Sequence, residues 1–253
     1  MTRRRFYAPP QALSLAKKSV TLSAEETRHA RDVLRLQRGE EVYVFDGEGH
    51  EYRGVITELN RNSVKIDLLE QVKPLHPESR LDLTLCLALL KGEKFDLVVQ
   101  KASELGATRL TPILTNRADV RIRSHDDAKR KLVRWQRIAL EATKQSGRAR
   151  LIKIDAPVAF EELIERAEQK DELRLMFAER GGSSFSQVLE DLELRPTESI
   201  ALIGPEGGWT DVEIDKATEN GWRIVTLGGR TLRAETAAIV VVTLMQHRFG
   251  DLV

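Results

Sequence analysis

Cysteine is almost missing from this 253-residue chain, which holds Cys86 alone. A lone cysteine excludes an internal disulfide and a cysteine-rich metal site. Its place within an apolar run makes it a small buried residue rather than a catalytic thiol. No apolar run reaches the roughly 18 residues that a membrane span needs, so no membrane partner is expected. The amino-terminal MTRRRFYAPP has charge but no hydrophobic stretch behind it, unlike a secretory signal, and a cytoplasmic protein is the expectation. His29, His50, His76, His125 and His247 are scattered without H-E-x-x-H or other ligand spacing, so they are read as solvated or structural and no metal is expected. Neither G-x-x-x-x-G-K-[ST] nor a strand-linked G-x-G-x-x-G occurs, which argues against a Walker-type nucleotide site and against dinucleotide binding. Without a G-x-S-x-G elbow, an α/β-hydrolase is disfavoured too.

Net charge is also small, at +1 from 40 Lys and Arg against 39 Asp and Glu. With 41% hydrophobic and 31% charged residues, the chain can build a core and is neither disordered nor histone-like. The balance hides an asymmetry. Residues 1–72 carry 12 basic and 11 acidic side chains, residues 73–150 carry 17 and 9, and residues 151–253 carry 11 and 19. Most of the excess lies between Arg117 and Arg150, where 11 basic residues face Asp119, Asp126, Asp127 and Glu141. A basic segment of this size is the footprint of a polyanion partner, or else a solvated helix face.

Two rhythms divide the chain. Residues 1–72 combine a small helix with β-hairpins. Ser23-Ala24-Glu25-Glu26 is a capping box, and the helix behind it is expected to pass Ala30, Val33 and Leu34 and stop at Gly39. Strands are expected over 41–45, 52–59 and 64–69, separated by glycine and asparagine turns, which suggests a small β-barrel. Pro74 and Pro77 flank His76 in a linker. From residue 81 onward, strands alternate with helices. Strands are expected over 81–90, 109–114, 151–154, 173–177, 200–203 and 224–227, and helices over 93–105, 126–146, 160–169, 184–189 and 212–220. Thr210-Asp211-Val212-Glu213 supplies a second capping box. That alternation means a parallel sheet with helices on both faces, an α/β class.

In open α/β sheets, ligands bind beyond the carboxyl ends of strands. Here the strand ending at Ile203 runs into Gly204-Pro205-Glu206-Gly207-Gly208-Trp209 and a capped helix. The strand ending at Leu227 runs into Gly228-Gly229-Arg230-Thr231-Leu232-Arg233-Ala234-Glu235-Thr236-Ala237 and an apolar helix. Glycines let the main chain approach a ligand closely, and helix starts favour an anionic group. A single loop of this kind is also an ordinary tight turn; two in succession, both with a carboxylate and one with paired arginines, point to a binding site.

At these loops the sequence resembles the SPOUT methyltransferases, through Leu202-Ile203-Gly204-Pro205-Glu206-Gly207-Gly208, Leu227-Gly228 and Leu232-Arg233-Ala234-Glu235-Thr236-Ala237. More narrowly it resembles the RsmE type, which methylates N3 of a uridine in small-subunit (16S) ribosomal RNA. Gly92-Glu93-Lys94, Gln100-Lys101, Glu104-Leu105-Gly106, Asn116-Arg117, Trp135, Gln145-Ser146-Gly147-Arg148, Arg248-Phe249-Gly250-Asp251, Arg5-Phe6 and the stretch 29–36 extend the likeness over nearly the whole chain. The resemblance implies a PUA-like β-barrel for RNA binding over residues 1–72. It implies a SPOUT α/β domain over 73–253, whose segment from about 198 to 253 forms a deep trefoil knot. It further implies S-adenosylmethionine as cofactor, a homodimer, and 16S ribosomal RNA or the small ribosomal subunit as partner. Competing readings are a non-catalytic ribosome-assembly factor that keeps the scaffold, and a SPOUT enzyme with another RNA target.

Under that resemblance Leu202, Gly204, Glu206, Gly207, Leu227, Gly228, Leu232, Thr236 and Ala237 are the cofactor-binding candidates. Uridine N3 must lose its proton, so the chemistry needs an acceptor for it and a cation for the charge that develops. Arg233 is the candidate cation; its alternative is an ion pair with Glu206 or Glu235 that merely holds the loop together. Glu235 or Glu206 is the candidate base, and either also suits a helix start. For RNA, Arg3, Arg4 and Arg5 form a basic arm with Phe6 and Tyr7 available for stacking, or else a frayed terminus. Arg31, Arg35 and Arg38 are expected on one side of the first helix, extending a patch of Arg117, Lys144 and Arg148.

Overall fold

The computed structural model describes residues 3–14, 16–166 and 172–252. The chain forms two compact units, one of residues 1–78 with 143–151, the other of residues 79–142 with 152–253.

The first unit is built on a six-stranded sheet. Its strands are β1 (Arg5–Tyr7), β2 (Leu13–Ser14), β3 (Ser19–Thr21), β4 (Glu41–Phe45), β5 (Glu51–Leu59) and β6 (Val64–Val72), in the order β1-β4-β5-β6-β3-β2. All neighbours are antiparallel except β1 and β4. β1 and β2 end the row, so the sheet is a half-barrel. Alternate residues Val42, Val44, Ile56, Val64, Ile66 and Leu68 point into one core, as a two-residue period requires. The expected basic arm is therefore a strand. Phe6 is fully buried in that core, and Arg5 is buried with its Nε 3.2 Å from Glu51 Oε1. Neither is free to stack on a base or bind a phosphate.

Helix α1 (Ala24–Arg28) starts at Ser23, whose Oγ accepts from Glu26 N at 3.2 Å. It continues as a π-helical turn, His29–Val33, and stops well before Gly39. Arg35 adopts a left-handed φ of 52°, and Leu36 N then reaches Ala30 O at 3.0 Å. Burial of Leu36 compensates for the strained residue. Arg35 and Arg38 thus lie beyond the helix, and the expected single helical face of Arg31, Arg35 and Arg38 does not form.

Residues 143–151 complete this unit. Gly49 N donates to Ala149 O and Leu151 N to Gly47 O. Lys144 Nζ lies 2.9 Å from Glu26 Oε1, and Arg148 Nη2 lies 2.7 Å from Glu78 Oε2, both between largely buried side chains. Lys144 and Arg148 are consequently structural cations here, not members of an open RNA patch, because a buried ion must keep its partner.

The second unit is an eight-stranded sheet. It contains β7 (Asp82–Ala88), α2 (Lys94–Glu104), β8 (Arg109–Leu114), α3 (His125–Ser146, whose last residues belong to the first unit), β9 (Lys153–Ile154), β10 (Val158–Ala159) and α4 (Phe160–Ile164). These are followed by β11 (Glu172–Phe177), β12 (Ser183–Ser184), α5 (Phe185–Glu190), β13 (Glu198–Ile203), α6 (Asp211–Glu219), β14 (Arg223–Thr226) and α7 (Ala234–Phe249). The helix expected over 160–169 ends at Ile164, and its positions 167–169 lie outside the described residues.

Strand order is β10-β8-β7-β13-β11-β14-β12, with β9 on β8 and every pairing parallel. β11 is buried at all six positions, because helices cover both faces. Leu83, Leu85, Leu87, Leu175, Ala201 and Ile203 join the core shared with α2 and α7. Cys86, Met176, Ile200 and Leu202 face the opposite core, with Phe160, Trp209 and Trp222. Burial pushes the Cys86 thiol up to about 12, which keeps it protonated and inert.

The buried pair between Arg148 and Glu78 generates a stability test. Arg148→Met strands Glu78 without its cation and should lower unfolding free energy by about 3 kcal/mol. Arg38→Met, at an exposed position, should stay within about 0.5 kcal/mol of wild type. Urea unfolding compares them, and equal midpoints would remove the structural role from Arg148.

Candidate active site

Parallel pairing places β11 between β13 and β14, so the carboxyl ends of three strands lie side by side. The loops beyond them enclose a cavity of about 350 Å³. Gly204, Pro205, Glu206, Gly208 and Trp209 come from the loop after β13. Leu227 to Ala234, with Ala237, come from the segment after β14, and Phe177, Ala178 and Glu179 come from the end of β11.

Local chemistry shapes the first loop. Trp209 is buried and donates its indole N–H to Phe177 O at 2.9 Å. Its ring lies against Gly204, where an added Cβ would stand 2.9 Å from Trp209 Cε2. Gly208 has a φ of 65° and abuts the Glu179 carboxylate, a conformation in which a side chain is strained. Gly208 N closes a turn on Pro205 O at 3.0 Å. The capping box at Thr210 and Glu213 then starts α6, with both reciprocal hydrogen bonds present.

Charges are arranged around Lys94. Its Nζ lies 3.0 Å from Glu206 Oε1 and 3.9 Å from Glu235 Oε2. Among the described residues Lys94, not Arg233, is therefore the cation paired with these carboxylates. Burial raises the Glu206 carboxyl, but its own main-chain N–H and Lys94 outweigh that effect and hold it below its ordinary value. Glu235 is mostly buried, and its Oε2 accepts no hydrogen bond. Arg233 is the N-cap residue of α7, lines the cavity and is exposed.

Of the expected cofactor residues, Gly204, Glu206, Leu227, Gly228, Leu232 and Ala237 line the cavity together with Arg233. Leu202 does not, because it shares a face of β13 with Ile200 and points into the opposite core. Gly207 packs against Arg117 instead, and Thr236 is exposed on α7. Glu235 is not part of the wall either; it lies beside Lys94. Reasoning from sequence missed Glu179 and Lys94. Lys94 sits at the start of α2 and meets Glu206 only through the fold.

The expected RNA residues scatter in role. Arg3 donates to Lys73 O at 3.0 Å and stacks over Tyr43, and Arg4 pairs with Glu40. Arg31 pairs with Asp32 and donates to Arg61 O. Arg35 and Arg38 are exposed, with no ion pair among the described residues. Arg117 donates to the carbonyls of Gly207 and Trp209.

Comparison with known proteins places the chain in a family. Residues 77–246 match the RNA methyltransferase domain family, and residues 22–69 match the RNA methyltransferase PUA domain. The ribosomal RNA small subunit methyltransferase E of Synechocystis is 36% identical over 240 residues, covering 95% of this chain and 76% of that protein. That of Mesomycoplasma hyopneumoniae is 34% identical, covering 83% and 86%. A crystal structure of the Neisseria gonorrhoeae ribosomal RNA small subunit methyltransferase E bound to S-adenosyl methionine superposes with a TM-score of 0.87 at 30% identity, over 100% of both chains. The chain belongs to the ribosomal RNA small subunit methyltransferase E family.

Proposed function

We propose that this chain transfers a methyl group from S-adenosylmethionine to N3 of a specific uridine in 16S ribosomal RNA. The observation that carries the reading is the glycine-lined cavity at three adjacent strand ends, with an exposed arginine on its wall, in a chain of this family.

The cavity suits the cofactor. Its volume, about 350 Å³, lies within the roughly 300–1,000 Å³ of small-molecule sites. Phe177, Ile203, Leu227 and Leu232 offer apolar walls for the adenosyl group. An added Cβ at Gly228 or Gly229 meets no atom within 4 Å, so the main chain stands open to the space. When bound, the cofactor supplies an electrophilic methyl group on a sulfonium.

The chain's own residues have three tasks. The loop walls orient the methyl group and exclude water, which removes much of the entropic barrier to an in-line displacement. Arg233 donates to the uridine O2 or O4 as the N3 proton leaves, stabilising the negative charge. Glu206 lines the cavity in its ionised form, paired with Lys94, and is the better placed of the two carboxylates to receive that proton. Glu235 acts through Lys94 as a positioning residue, and Glu179 offers a carboxylate to the cofactor's ribose hydroxyls or ammonium.

RNA capture is assigned to the PUA-like first unit, where Arg35 and Arg38 are exposed and, among the described residues, form no ion pair, whereas the exposed Arg4 is paired with Glu40. The resemblance also supports a homodimer in the cytoplasm, and a trefoil knot over about 198–253. Such threading is rare among folds. Among the described residues, no helix is long and apolar enough to cross a membrane.

Mass spectrometry of small-subunit RNA from a deletion strain should show one lost uridine methylation that the wild-type gene restores. An unchanged pattern would sink the reading. Arg233→Ala should lower kcat by about 10²–10³-fold while leaving cofactor affinity within about threefold, the signature of a group used in the transition state. Single-turnover kinetics and calorimetry separate the two, and an unchanged kcat removes Arg233 from the chemistry.

A further inference from the structure

The loop from Gly204 to Trp209 is held from outside the cavity by two guanidinium groups. Arg117, beyond the end of β8, donates from Nη1 to Gly207 O and to Trp209 O, each at 3.2 Å. Arg180, beyond the end of β11, donates from Nη2 to Trp209 O at 3.3 Å and to Asp211 Oδ1 at 2.6 Å. One carbonyl thus receives an arginine from each flank. The contact with Arg117 is also steric: an added Cβ on Gly207 would stand 3.2 Å from Arg117 Cβ and 3.3 Å from Arg117 O. Glycine at this position lets the loop lie directly on Arg117.

Three other donors of the loop are committed elsewhere. Gly208 N donates to Pro205 O, Thr210 N to Glu213 Oε2, and the Trp209 indole to Phe177 O. Among the described residues, Arg117 and Arg180 are the side chains that reach the carbonyls of Gly207 and Trp209, from separate strand ends. A planar guanidinium suits this task, since its several donors are fixed relative to one another.

We propose that Arg117 and Arg180 form a clamp that holds the loop of residues 204–210 in its cofactor-binding shape, so that both are positioning residues for S-adenosylmethionine and not contacts to RNA. The proposal rests on the reading that the cavity holds this cofactor. It reverses the assignment of Arg117 that its place in a basic segment suggests. A loop ordered in advance costs less to order on binding, so the clamp acts on cofactor affinity. Arg180 is itself fixed by Asp211 in the first turn of α6, which ties the loop to the helix that follows it.

Cofactor affinity and RNA affinity distinguish the two roles. Calorimetry with S-adenosylmethionine on the RNA-free protein should show Kd about tenfold higher in Arg117→Met and in Arg180→Met. The double variant should lose less than the product of the two effects, because both act on one loop. Saturating cofactor should restore kcat, placing the effect on KM for the cofactor. The dependence of RNA affinity on salt should keep its wild-type slope, whereas each lost phosphate contact lowers that slope by about 1. A reduced slope with unchanged cofactor Kd would overturn the clamp and return Arg117 to the RNA surface. Arg117→Lys and Asp211→Asn carry the test should the methionine variants fail to fold: a lysine keeps the attraction for phosphate but loses the forked donors. Wild-type protein that binds no S-adenosylmethionine defeats the functional reading itself. Wild type that binds, with variants that bind equally well, defeats the clamp alone.

Discussion

β13 pairs in parallel with β7 along one edge and with β11 along the other, each over six residues from Glu198 to Ile203. The rest of the second unit depends on that double ladder. A strand with no free edge and both faces covered favours apolar side chains, and Ile200, Ala201, Leu202 and Ile203 meet that demand. Its insertion also separates the chain's order from the sheet's order. β13 and β14 are consecutive strands, yet β11 lies between them. Three loops rather than two therefore converge at one end, and the third brings Glu179 and Arg180.

The glycines of that end act through different neighbours. Gly204 makes room for the Trp209 ring, Gly207 for Arg117, and Gly208 for the Glu179 carboxylate. Gly228 and Gly229 face open space, which leaves main chain bare toward the cavity. The same residue type thus serves packing on one wall and access on the other. Dispersion contacts around Trp209 and hydrogen bonds to its carbonyl keep the first wall in place.

Cations sort by burial. Arg5, Lys144 and Arg148 sit in low-dielectric surroundings next to Glu51, Glu26 and Glu78, where separating a pair leaves an uncompensated charge. Arg35 and Arg38 remain in solvent, where phosphate can replace water at little cost. A count of basic residues treats all of these alike. The excess between Arg117 and Arg150 is therefore a weaker guide to an RNA surface than its size suggests, since part of it is internal structure. Arg117 illustrates the same point from the exposed side, because its acceptors are carbonyls of the neighbouring loop.

Periodicity was enough to place most elements. The strand over 109–114 matches β8, and the helices expected over 93–105, 126–146 and 212–220 match α2, α3 and α6 within one residue at each end. Those features are local: a 3.6- or 2-residue repeat, a cap, a glycine stop. The two glycine loops and Arg233 were legible for the same reason, as was the family likeness. What sequence misjudged was β1, where a three-residue strand that opens with Arg5 has no periodicity to detect, and the end of the first helix, where Arg35 takes a conformation usual for glycine. Sequence by itself determined the class of fold, the two loops and the chemistry they suggest. Tertiary structure alone decided that Leu202 faces away from the cavity, that Lys94 rather than Arg233 pairs with Glu206 and Glu235, and that Arg117 holds a loop. The reason is physical: strand order and long-range ion pairs depend on distances between segments far apart in the chain, and no local pattern encodes them.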